Sequence, residues 1–183
     1  MIGVALILLI SGVMVYKHYN HVAEIAKQRS ALNQTEIDAN NFIAELTGIA
    51  KPDSIAKQNH CDYTSNFNEV EKGDLVCSIA ISVNYQVGSR DDAANLANLL
   101  SQASTKSEHL QYRSSSSALS GTTAPEQLLR QGFIDKSGLE CSMAYMYYNN
   151  QDSLPSDLKA SNGKQSLLGA LSCFIRPAAT NYY

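Results

Sequence analysis

The sequence predicts an α+β fold: a long N-terminal helix carrying a globular head, the head built on a mainly antiparallel β-sheet with one or two short helices. Three observations predict it. Met1–Tyr16 carry no charged side chain, and no proline occurs before Pro52. Apolar residues then recur at alternating three- and four-residue steps, at Val22, Ile25, Leu32, Ala39, Ile43 and Leu46, which is the spacing of one helix face. Beyond residue 50, runs rich in β-branched residues are separated by turn-forming segments and one helical pattern, the order of an α+β domain. The chain divides into residues 1–50 for the helix and 51–183 for the head.

The helix has two chemically distinct halves. Val4–Ile10 is apolar on every face, which suits lipid or a buried filament core better than a water-facing surface. Sixteen helical residues span about 24 Å, slightly short of a ~30 Å hydrocarbon layer. Tyr16 and Tyr19 suit the interface, with Lys17 reaching toward water. No basic residue precedes the apolar run and no small-x-small site follows it, so it reads as a retained anchor and not a cleavable signal peptide. Lys17, Lys27 and Arg29 alone would hold the head on the cytoplasmic side. Four cysteines without CxxC or zinc spacing ask instead for an oxidising compartment. A short basic leader removed ahead of Met1 reconciles the two, and that is the expectation. Gly3, Ala5, Ser11 and Gly12 are the small residues that permit close helix approach. With Val22, Ile25, Leu32 and Ile43 they form the predicted helix-packing set: the upper half of the seam against the head, the lower half against neighbouring copies. Arg29 and Glu36 interrupt the seam, and Lys27, Gln28, Asn33, Asp38 and Asn40 mark the wet face. Gly48 and Pro52 end the helix.

In the head, Lys51–Asn68 reads as a connector with turn chemistry at Pro52-Asp53, Asn59 and Asn66. Asp74–Val87 reads as a strand with Leu75, Cys77, Ile79, Ile81, Val83 and Tyr85 on its inner face. Ser89 is placed to cap a helix whose first turn holds Asp91 and Asp92. Ala93, Leu96, Ala97 and Leu100 give that helix its apolar stripe, ending near Ala103. A further strand is expected over Lys106–Tyr112, an exposed low-complexity loop over Ser114–Thr123, and a short helix from Pro125 to Leu129. Leu139–Tyr148 and Leu167–Ile175 read as strands, separated by a polar loop at Gln151–Gly163. Leu75–Ala80 and Leu139–Ala144 echo each other, each with its cysteine near the strand start. Of three possible connectivities, the preferred one is Cys61–Cys77 with Cys141–Cys173.

Composition excludes more than it identifies. The net charge is −3, so no global basic field favours nucleic acid. Nucleotide-binding loops, nucleophile elbows, zinc-protease motifs and EF-hand loops are absent. Ser161-Asn162-Gly163-Lys164 matches Ser-x-x-Lys without a supporting motif. His18, His21, His60 and His109 are scattered, and Asn33-Gln34-Thr35 is a formal glycosylation acceptor inside a helix. No catalytic, cofactor or metal site is expected, and the chain reads as a non-enzyme. Tyr145, Tyr147, Tyr148, Tyr182 and Tyr183 make an aromatic-rich area that suits core and edge packing, or alternatively an adhesive or subunit contact.

A charge-free helix that continues as an amphipathic rod and carries a disulfide-tied α+β head resembles a type IV pilin or pilin-like subunit. Ser11–Tyr16 followed by Lys17-His18-Tyr19 is similar to the second half of the membrane helix in class b pilins. The usual glutamate at the fifth mature position is replaced here by Ala5, a departure that the resemblance accommodates as a divergent or minor subunit, or as a chain start that falls inside the membrane helix. The resemblance implies a structural subunit of an extracellular filament. It would polymerise with like subunits through the N-terminal helix and display the head for adhesion or motility. It also implies residence in the cytoplasmic membrane before assembly, with the head extracytoplasmic, and leader removal by a dedicated peptidase. The alternative is a single-pass anchored scaffold of a secretion or conjugation machine.

Overall fold

The computed structural model describes residues 32–65, 72–117, 125–150 and 165–174, with residues 22, 23, 26, 27, 30, 154, 158 and 159. Helix α1 occupies residues 32–49. It is followed by β1 (Ser54–Ser65), β2 (Lys72–Gln86), α2 (Arg90–Ser104), β3 (Gln111–Ser117), β4 (Glu126–Ile134), β5 (Glu140–Tyr148) and β6 (Ser166–Phe174). The strands form one six-stranded sheet in the order β1-β2-β6-β5-β4-β3, and every neighbouring pair is antiparallel. Helices α1 and α2 both pack on one face of it, here called the inner face.

The expected long N-terminal helix is corrected. The fold has two short helices and a six-stranded antiparallel sheet, and no fifty-residue rod is found among the described residues. Residues 22, 23, 26, 27 and 30 are helical, but Met1–His21 lie outside the described residues. No described helix is long and apolar enough to cross a membrane. The physical reason lies in where α1 is held. A helix in a protein draws most of its stability from tertiary packing of its apolar face, and among the described residues that packing begins at Leu32. Leu32, Ala39, Phe42, Ile43 and Leu46 are buried in the same core as the sheet, whereas Val22 is 50% exposed. The helix ends at residue 49, between Gly48 and Pro52.

Three further expectations change. The segment taken as a connector is β1, paired with β2 along nearly its whole length from Ser54↔Asn84 to Ser65↔Lys72. The serine-rich segment taken as a loop is partly β3, and the helix expected from Pro125 is instead β4, paired with both β3 and β5. The strand expected over Lys106–Tyr112 starts only at Gln111. Two expectations hold closely. β2 buries Cys77, Ile79, Ile81, Val83 and Tyr85 on its inner face. α2 buries Ala93, Ala97 and Leu100, and the Ser89 side chain accepts a hydrogen bond from the Asp92 amide, satisfying one of the free donors of the first turn.

Polar anchors fix both helices to the β4–β5 hairpin. The Thr35 hydroxyl of α1 donates to Asp135. Asp135 also accepts from the Ser137 amide at 2.9 Å, the Ser137 hydroxyl at 2.7 Å and the Leu139 amide at 2.7 Å. Gly138 completes this turn at φ 89°, a backbone region that glycine enters without steric cost. Burial alone would raise the Asp135 carboxyl, but these donors together hold it below the usual range. At the other helix, Ser104 Oγ donates to Gln131 Oε1 at 2.8 Å, and Gln131 Nε2 donates to the Ser101 carbonyl at 3.2 Å. Asp38, expected on the wet face, is buried at 2% exposure and accepts from Gln34 at 3.2 Å.

Candidate functional site

The four cysteines come together as Cys61–Cys77 and Cys141–Cys173. Each bond joins residues directly opposed across neighbouring strands, with Cα atoms 4.0 Å and 4.1 Å apart. Cys173 also faces Ile79 of β2, so both disulfides lie at one end of the inner face, two residues apart along β2. The N-terminal part of α1 sits at that same end: Leu32, Asn33 and Glu36 share a small cleft with Asn59 and Cys61. Asn59 Nδ2 donates to Glu36 Oε2 at 3.0 Å, and Lys57 donates to Asn40. The point where the chain enters the head is therefore the point where the sheet is covalently stapled.

The predicted packing residues separate into three groups. Gly3, Ala5, Ser11, Gly12 and Ile25 lie outside the described residues. Val22 is half exposed and Ile37, further along, is 53% exposed. Leu32 and Ile43 are buried against the head of their own chain. The tyrosines of β5 serve the interior. Tyr145 is fully buried, Tyr147 packs on the main core, and Tyr148 joins Leu154, Leu158 and Leu168 in a smaller cluster on the outer face. Burial pushes the Tyr85 phenol up to about 12 and raises Tyr145 as well, with Tyr85 nearby adding to the latter shift. Neither phenol ionises near neutral pH. Tyr182 and Tyr183 lie outside the described residues. Among the described residues no group of three His, Cys, Asp or Glu side chains is placed to hold a metal.

A second feature escaped the sequence reading. The outer sheet face, away from the helices, carries small residues in register across five strands: Ala80, Ser172, Ser142, Gly132 and Ser114. On the β3–β4–β5 side this row deepens into a groove of about 570 Å³ lined by Arg113, Ser114, Ser116, Arg130, Glu140 and Ser142 among others. Phe174 also lines it. An irregularity in the β3 register between Tyr112 and Ser114 leaves Arg113 as an extra residue, and such bulges re-aim a side chain. Ser116 stands opposite Arg130 and Ser114 opposite Gly132. The missing side chain at Gly132 keeps the floor open, since a Cβ there would lie 3.0 Å from Ser114 Oγ. A serine run carries no sequence signal for a groove; only the pairing of β3 with β4 brings the two arginines onto one surface.

Comparison with known proteins adds no assignment: no family model, no curated protein and no solved structure matches the chain.

Proposed function

We propose that this chain is a structural subunit of an extracellular, type IV pilus-like filament, assembling with copies of itself or with related subunits and displaying its head outward. Assembly would run through the charge-free residues 1–16, where Gly3, Ala5, Ser11 and Gly12 permit close approach. Before assembly the chain would reside in the cytoplasmic membrane with its head extracytoplasmic. The observation that carries the reading is the coincidence of three things at one end of the head: the entry of α1, and both cross-strand disulfides. A subunit held by its N-terminus in a filament takes load at that end. Two covalent rungs on the strands beneath α1 oppose strand separation there, and disulfides persist in the oxidising space outside the cell. The replacement of the family's usual glutamate by Ala5 favours one second reading, an anchored extracytoplasmic scaffold of a secretion or conjugation machine that does not polymerise.

The deciding experiment is the N-terminal residue and intact mass of protein sheared from the cell surface. A processed N-terminal Met1, with a mass lower by two hydrogens for each disulfide, in a sedimentable filament fraction is the expected result. Recovery solely from the membrane pellet would replace the filament reading with the scaffold.

A further inference from the structure

We infer that the groove on the outer face of β3, β4 and β5 binds an acidic saccharide, a short sugar chain bearing a ring carboxylate. Charge is the first argument. Arg113 and Arg130 both line the groove, and among the described residues neither has a carboxylate partner. Arg130 makes only a long 3.4 Å contact to Ser142 Oγ. Arg90 shows the contrast, engaging Glu126 through both nitrogens of its fork, with Nε to Oε2 at 2.8 Å. In a chain of net charge −3, two guanidinium groups beside a single carboxylate, Glu140, among the described lining residues give this concave surface a local positive excess. Each is a planar fork of donors matched to a carboxylate.

The rest of the lining selects the ligand further. Ser114, Ser116 and Ser142 offer hydroxyls that donate and accept. Phe174 also lines the groove, and the C–H face of a sugar packs favourably against apolar side chains. The volume of about 570 Å³ falls in the ~300–1,000 Å³ range of small-molecule sites and leaves room for more than one ring. Other anions fit less well. Sheet pairing on both sides of β4 uses its backbone amides, so β4 offers no cradle of free N–H groups to a lone phosphate. A nucleic-acid strand asks for a basic track with several stacking aromatics, and this groove has two cations, one acid and one ring.

The inference does not depend on the filament reading, because binding is measured on the chain whether or not it polymerises. The test titrates the full-length chain in mild detergent with trigalacturonic acid and with sialyllactose, each beside its own methyl ester, and with sodium sulfate. At least one free acid is expected to bind about tenfold or more tightly than its ester, since loss of one charge-assisted pair is a factor of that order. Arg113→Gln and Arg130→Gln are each expected to weaken that acid by about tenfold or more, with Arg130→Lys between them and the parent. Lys106→Gln, away from the groove, should leave affinity unchanged. Both arginines are exposed, and an unaltered melting midpoint shows that each variant still folds. The proposal is overturned if neither acid outbinds its ester, if the Gln variants bind as the parent does, or if sulfate occupies the groove as tightly as the sugars.

Discussion

Replacing Cys141 and Cys173 by alanine together removes the rung between β5 and β6 at the centre of the sheet. The two cysteines are 32 residues apart in sequence, against 16 for Cys61 and Cys77. Chain-entropy closure of loops of these lengths corresponds to about 3.7 and about 3.1 kcal/mol. Cys141 and Cys173 are also buried at 3% and 0% exposure, so their loss leaves packing defects worth up to about 1 kcal/mol more. The pair variant is therefore expected to lose about 4 kcal/mol, which at ~2–4 °C per kcal/mol for a chain of this size lowers the melting midpoint by roughly 8–16 °C. The Cys61→Ala/Cys77→Ala variant should lose about 3 kcal/mol. Removing both approaches the whole ~5–15 kcal/mol of a typical domain and should leave the head largely unfolded at growth temperature. Urea unfolding of the oxidised parent and each pair variant, with slopes compared to confirm a common transition, measures these differences. A loss below about 1 kcal/mol for Cys141→Ala/Cys173→Ala would refute the loop-closure reasoning.

Four other outcomes are expected. Asp135→Ala should cost about 2–3 kcal/mol at pH 7, because it leaves the buried Thr35 hydroxyl without its acceptor and unties the β4–β5 turn. The folded carboxyl is held below its usual value, so its contribution is full above the unfolded pKa of about 3.9 and fades as pH falls through the lower folded value. Parent and variant midpoints measured from pH 7 to pH 2 should therefore converge in acid. Tyr145→Phe should be neutral or stabilising by about 1 kcal/mol in thermal melts, since the Tyr145 hydroxyl is buried without a hydrogen-bond partner among the described residues. Ser89→Ala should cost about 1 kcal/mol by loss of the α2 cap, read by urea unfolding. Gly12→Leu should abolish filaments in sheared fractions while the isolated chain melts as the parent does; normal filaments from it would count against assembly through residues 1–16.

How much was legible varied by element, for physical reasons. β2, β5 and β6 are interior strands. Their inner faces meet the core, so selection for burial wrote Ile79, Ile81, Val83, Met143 and Leu171 into an alternating pattern. β1 and β3 are the two edges of the sheet. An edge strand pairs on one side and shows a mostly polar sequence, so Ser54–Ser65 and Gln111–Ser117 carry little strand signal. The hydrogen-bond ladder of a neighbour makes them strands. β4 was misread because Pro125 and the Glu126–Leu129 run suit a helix start as well as a strand start.

The amino-acid sequence by itself determined the α2 helix with its Ser89 cap and the inner face of β2, while it left three cysteine connectivities open and the structure selected one. The helix and the strand face depend on local capping chemistry and local periodicity, which a sequence carries directly. Tertiary structure decided where α1 is anchored, because apolar spacing on a helix reports that a face is buried but not against what. It also decided the burial of Asp38 and Asp135 and the meeting of Arg113 with Arg130 across β3 and β4. These depend on contacts between segments distant in sequence, and for the two arginines on strand register, since a one-residue shift sends a strand side chain to the opposite face of the sheet.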